Sequence, residues 1–209
     1  MSRPRPWVIV PGIWNSDAEH WQSVWQRERG DDAVRIAPAS WGEPDPGDWR
    51  EAISRAVASC AEPPVLVAHS LGVLAVADWL AADAADAADA ADAAAAAAAA
   101  GAAAAAGPTV AGAFLVAPPD PAAPGFPAAA SGFPAPRPIP VGTAAARVPT
   151  RLVVSDDDPY CTADRALAFA ETMGAAVLRV GPLGHVNVAS GVGAWPAGRE
   201  LLGAFEQTL

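Results

Sequence analysis

The stretch Val65-Leu66-Val67-Ala68-His69-Ser70-Leu71-Gly72-Val73-Leu74-Ala75 constrains this chain more than any other. A β-branched apolar run ends in a small-X-Ser-X-Gly pentad, and helix-forming residues follow at once. Strand, sharp turn and helix, with serine at the apex, form the setting in which a G-x-S-x-G pattern carries chemical meaning. Such a turn holds its serine in a strained backbone conformation, where bulky flanks would collide as strand and helix approach. Ala68 and Gly72 supply the small residues two before and two after, the alanine adding one methyl to the stricter glycine pattern. A serine ahead of a helix is otherwise an N-cap. The strand in front of it makes Ser70 a candidate nucleophile.

The rest of the chain reads as alternating strands and helices. Strands are expected at residues 7–10, 34–37, 65–68, 110–117, 150–155 and 176–180. A first helix is expected within 15–30, with Ser16 as its cap, Trp21, Val24 and Trp25 on one face, and Gly30 as its stop. Others are expected at 49–60, after Ser70, at 163–173 and at about 199–208, while 38–48 reads as a loop holding Trp41. This alternation implies an α/β fold, a parallel sheet of about six strands with helices on both faces. At 209 residues the chain is expected to be a single domain, 1–209, with a sizeable core.

Two stretches stand out. After Ser70 the helix runs into four Ala-Ala-Asp units and then polyalanine, broken at Gly101 and Gly107. Alanine favours helix, and from 71 to 100 such a helix would be roughly 45 Å long, against about 40 Å for a compact domain. Its far end must protrude, bend or fray. Aspartate at every third position drifts around a helix instead of holding one face, so 81–107 reads as an Ala/Asp low-complexity helical insertion. Residues 118–149 are proline-rich with Phe126 and Phe133, and their place between a strand and later acids suggests a cover over the serine.

The net charge of −10 argues against nucleic acid or an anionic membrane as the main partner, since both reward clustered Lys and Arg. The apolar run at 7–10 is too short for a secretory h-region. Asp83, Asp86, Asp89 and Asp92 would each cost about 3 kcal/mol at the centre of a bilayer. Cys60 and Cys161 have no metal-ligand spacing and read as reduced thiols of a cytoplasmic protein. No metal or cofactor is expected.

A serine nucleophile needs a base, and the base an orienting acid. There are three histidines. His69 adjoins the serine and its side chain leaves the turn in another direction, which suits packing or support. His20 lies among tryptophans and either packs there or lines the pocket. His185 follows the last expected strand, in a loop at the carboxyl end of a parallel strand, and is the expected base. The acid belongs between serine and histidine in the chain, where Asp156, Asp157 and Asp158 are adjacent and spacing does not choose among them. An oxyanion hole would take the Leu71 amide and one from the loop after the first strand, Ile13 first and Trp14 next. Trp14, Trp21 and Trp41, covered by Phe126 or Phe133, are the expected substrate-binding residues.

At this point the chain resembles the small serine hydrolases of the α/β-hydrolase fold that include bacterial YdeN-like proteins and retinoblastoma-binding protein nine. The matching residues are Val10-Pro11-Gly12, Asn15-Ser16, His20-Trp21-Gln22 and Ala68-His69-Ser70-Leu71-Gly72. Further on come Ala117-Pro118, Ser155-x-x-Asp158-Pro159-Tyr160-Cys161, Gly184-His185-x-Asn187, Ser190-Gly191 and Trp195-Pro196-x-Gly198. The resemblance implies a six-stranded parallel sheet, the α/β-hydrolase fold without its first two strands. It also implies that Asp158, directly before a proline, is the acid, and that Asp156 and Asp157 are turn residues. The implied activity is metal-free hydrolysis of a small ester or related acyl substrate through Ser70, Asp158 and His185. Two other classes stay open: a binding module with an idle serine, for which a protein partner is not excluded, and a hydrolase of amides or thioesters.

Overall fold

The computed structural model describes residues 5–82 and 109–209. The expected Ala/Asp insertion lies almost wholly outside the described residues.

Six strands form one sheet: β1 (Trp7–Val10), β2 (Ala33–Arg35), β3 (Val65–His69), β4 (Gly112–Val116), β5 (Thr150–Val154) and β6 (Ala176–Arg179). Their order is β2-β1-β3-β4-β5-β6, and every pairing is parallel. Among the described residues five helices accompany them: α1 (Trp21–Arg29), α2 (Pro46–Ala58), α3 (described over 71–82), α4 (Ala163–Met173) and α5 (Pro196–Glu206). The inner strands read as unbroken apolar runs because both of their faces are covered. Alternation along β1 and β3 sends Val8, Val10, Leu66 and Ala68 to one core, shared with Trp49 and Ile53 of α2, Leu74 of α3 and Phe169 of α4. Trp7, Ile9, Val65 and Val67 face the other core, built with Trp21 and Trp25 of α1 and Leu202 and Phe205 of α5. The two layers have one physical cause, a side-chain period of two on a central parallel sheet.

Element boundaries moved where capping chemistry decided them. The first helix is shorter than expected and is capped by His20, whose Nδ1 accepts from the Gln22 amide, while the Ser16 hydroxyl donates to the Gln22 side chain. The second helix begins early, at Pro46 behind Asp45, whose carboxylate accepts from the Asp48 amide. Pro46 suits the first helical position because its missing N–H would have no intrahelical partner there. The last helix likewise starts at a proline, Pro196. Within 118–149 the chain makes two short 3₁₀ turns, Ala128–Ala130 and Ala145–Arg147. That connection is tied to the body by Arg137, whose guanidinium meets the buried Asp78 of α3 at 2.7 Å, with Arg50 of α2 on the same carboxylate at 3.3 Å.

Candidate active site

Every group of interest sits past the carboxyl end of a strand. Gly12 follows β1, Ser70 follows β3, Asp158 follows β5 and His185 follows β6. In parallel sheets this edge is where loops converge to form a cleft.

Ser70 has φ = 55°, a left-handed value that is uncommon for a residue with a Cβ. The turn is held by the Ser70 amide, which donates to the Val116 carbonyl on β4 at 3.1 Å. A Cβ on Gly72 would be driven into the carbonyl oxygens of Val10 and Pro11, and one on Gly12 would lie 2.9 Å from the Ser70 Cβ. Strand, serine and helix approach so closely that only hydrogen fits at these two positions.

Ser70 Oγ lies 2.8 Å from His185 Nε2, and His185 Nδ1 lies 2.9 and 3.0 Å from the two carboxylate oxygens of Asp158. A carboxylate only accepts, so Nδ1 carries the imidazole proton and Nε2 is free to accept from the serine hydroxyl. The side chains of His185 and Asp158 are almost fully buried. The neighbouring acids are spent elsewhere. Asp156 pairs with Arg179 at 2.7 Å, and Asp157 accepts from the Ser155 hydroxyl and from the Gly184 amide at 2.7 Å. Asp157 is therefore more than a turn residue, since it anchors the backbone just before His185.

The histidine loop is held from several sides. The His185 amide donates to Ser190 Oγ at 3.0 Å. Its carbonyl accepts at 2.9 Å from Nε2 of His69, the residue next to the nucleophile. Burial pushes the His69 pKa well below its ordinary value, with His185 and His20 adding to the effect, so this donor is a neutral imidazole. Trp21 Nε1 donates to the Val186 carbonyl at 2.9 Å, and Val186 is itself at φ = 50°, an outlier for a β-branched residue. The Gln22 side-chain Nε2 donates to the carbonyls of Val10 and Val67, joining α1 to the ends of β1 and β3. Tyr160 sets its ring against that of His185, edge to face, with centroids 4.6 Å apart.

The cleft over Ser70 has a volume of about 970 Å³. Its walls come from the β1 loop (Gly12, Ile13, Trp14), from the proline-rich connection (Phe126 to Ala130) and from the loops after β5 and β6 (Tyr160, His185, Val188). Of the three tryptophans expected to bind substrate, only Trp14 stands on the cleft. Trp21 is fully buried beneath it, and Trp41 packs edge to face on Trp49. Phe126 lines the cleft, whereas Phe133 is buried against Trp49. His20 both caps α1 and lines the cleft, and burial lowers its pKa to about 4. The Trp14 amide donates to the Trp41 carbonyl at 2.8 Å, which removes it as an oxyanion donor. The supporting roles of Gln22, Asp157 and Ser190 were not read from the sequence. Their signal was a polar residue inside or beside a motif, and a polar residue says nothing of which distant carbonyl or amide it will meet. Among the described residues no cluster of His, Cys, Asp and Glu could hold a metal ion, and no helix is long and apolar enough to cross a membrane.

The family model described as serine hydrolase matches the sequence over residues 7–97 and 89–204. A YdeN-like hydrolase from Pectobacterium atrosepticum is similar at 30% identity and a TM-score of 0.71, over 97% of this chain and 91% of that one. The ydeN gene product from B. subtilis is similar in fold at 19% identity and a TM-score of 0.68, over 96% and 98%. Alpha/beta hydrolase domain-containing protein 10 from mouse shares the fold at 16% identity and a TM-score of 0.56, over 88% and 83%. No curated protein matches the sequence. With the sheet order above, these likenesses identify the α/β-hydrolase fold.

Proposed function

We propose, for a chain that belongs to the serine hydrolase family, that it cleaves small carboxylic esters through an acyl-enzyme on Ser70. The unbroken hydrogen-bond chain from Ser70 Oγ through His185 to Asp158, at 2.8 and 2.9 Å and opening on the cleft, carries this reading. His185 Nε2 takes the hydroxyl proton as Ser70 Oγ attacks the ester carbonyl carbon. Asp158 holds the imidazole tautomer and stabilises the imidazolium. The amides of Leu71 and Ile13 receive the oxyanion, with the amino end of α3 directed at the same point. The intermediate collapses, the leaving alkoxide takes the proton from His185, and the acyl group stays on Ser70. Water, deprotonated by His185, then releases the acid and restores the hydroxyl.

The proposed reaction needs no metal or organic cofactor. The proposed domain is the whole chain, 1–209, with 118–149 as the cover of the site. The free thiols Cys60 and Cys161 support a reducing, cytoplasmic setting.

Labelling with a fluorophosphonate probe tests the reading, wild type beside Ser70→Ala, followed by a p-nitrophenyl ester series. Labelling that is lost with Ser70, together with ester turnover, is the expected result. A folded wild type that neither labels nor turns over esters would overturn it in favour of a binding module.

A further inference from the structure

The large apolar side chains left exposed are not scattered. Of the five among the described residues, Trp14, Tyr160 and Val188 stand on the cleft. Trp14 is 68% exposed, although indole surface is costly to leave in water. It is also held at φ = 65° with Asn15 at 69°, a backbone conformation that carries strain outside glycine. The loop is built to keep it so. The Trp14 amide is tied to the Trp41 carbonyl, and the Asn15 side chain accepts from Arg35 at 2.6 Å. An exposed indole carried on a strained, braced loop at the mouth of a cleft is a docking platform.

Charge points the same way. Among the described residues that line the cleft, Asp17 alone carries a formal charge, and no Lys or Arg is present. Residues 83–108 add four aspartates and no cation to the chain. Arg35, whose guanidinium reaches the cleft-lining residues Asn15 and Ser16, spends its N–H groups on them and on Gln26 and Ser23. A carboxylate or phosphate entering this cleft would lose water and gain no cation in return.

Resting on the acyl-transfer reading above, we infer that the cleft takes uncharged esters whose apolar or aromatic group seats on Trp14, and turns away acyl and leaving groups that bear a carboxylate or phosphate. Thioesters carried on phosphorylated cofactors fall in the rejected class.

Two matched comparisons test this. Wild-type kcat/KM for p-nitrophenyl butyrate should exceed that for p-nitrophenyl hemiglutarate by at least about tenfold. Val188→Lys, which plants a cation on the rim, should narrow that ratio. Trp14→Gly, suited to the left-handed backbone, should lower kcat/KM for 2-naphthyl butyrate by about fivefold more than for ethyl butyrate, mainly through KM. Trp14→Leu, keeping apolar bulk without the ring, should fall between. Equal turnover of the neutral and anionic esters, with Ser70 still labelled by fluorophosphonate, would overturn this inference alone. An equal loss on the naphthyl and ethyl esters would also overturn it. Absence of both labelling and turnover would overturn the acyl-transfer reading, and this inference with it.

Discussion

At the scale of single residues, three adjacent aspartates have three fates, set by where each carboxylate points after β5. Asp158 reaches His185, Asp157 reaches the Gly184 amide, and Asp156 reaches Arg179. Ser70→Ala or His185→Ala should lower kcat on a p-nitrophenyl ester on the order of a millionfold, and Asp158→Ala nearer ten-thousandfold. Asp156→Ala, losing a surface ion pair, should change kcat by less than about twofold. An Asp156 effect equal to that of Asp158 would refute the assignment of the acid. His69 acts at one remove, through the carbonyl it holds on His185. His69→Phe keeps a packed ring and removes that donor, so kcat should fall by about tenfold or more with KM little changed. His69→Gln, which can still donate, should recover part of the loss. Equal kcat values for the two variants would mean that His69 only fills space.

At the scale of elements, α1 couples folding to the site. Its cap, His20, is a neutral imidazole in a buried place, its Nδ1 accepting from the Gln22 amide. Asp17 favours the charged form and Arg35 and His185 oppose it, but desolvation dominates and brings the pKa from 6.5 to about 4. A folded pKa below the unfolded one means that the unfolded chain takes the proton first. Stability is therefore complete above pH 6.5 and is lost as pH falls toward 4, by about 3 kcal/mol from this group. His20→Asn keeps a cap acceptor and removes the titration. Its urea midpoint should drop less than that of wild type between pH 7 and pH 4.5. An identical drop would show that the acid sensitivity lies in other groups, His69 first among them. The same helix shows how far a sequence pattern reaches. Spacing of Trp21 and Trp25 identified its buried face, whereas the cap fell to His20 and not Ser16, because a cap is chosen by which side chain meets an orphan amide in space.

At the scale of the whole molecule, the proline-rich connection is fastened across the sheet's α2–α3 face by Arg137 on Asp78. Asp78 is buried and Arg137 is half exposed, so removing the carboxylate frees the connection more than it harms the core. Asp78→Ala should speed thermolysin cleavage within 118–149, and an unchanged cleavage rate would show that Arg137 does not hold the segment. Periodicity and motif order were enough to establish six parallel strands, helices on both faces, and Ser70 and His185 at one edge, because alternation and the strand–turn–helix pattern are local properties. The choice of Asp158 stayed open on spacing alone and came from resemblance, since adjacent carboxylates look alike until a fold aims them. What only the tertiary structure decided were the long-range partners: His69 on the His185 carbonyl, Trp21 on Val186, Gln22 on Val10 and Val67, and Trp14 rather than Trp21 or Trp41 on the cleft. These contacts join residues far apart in the chain, whose meeting depends on how helices settle on the sheet, and no local preference encodes that.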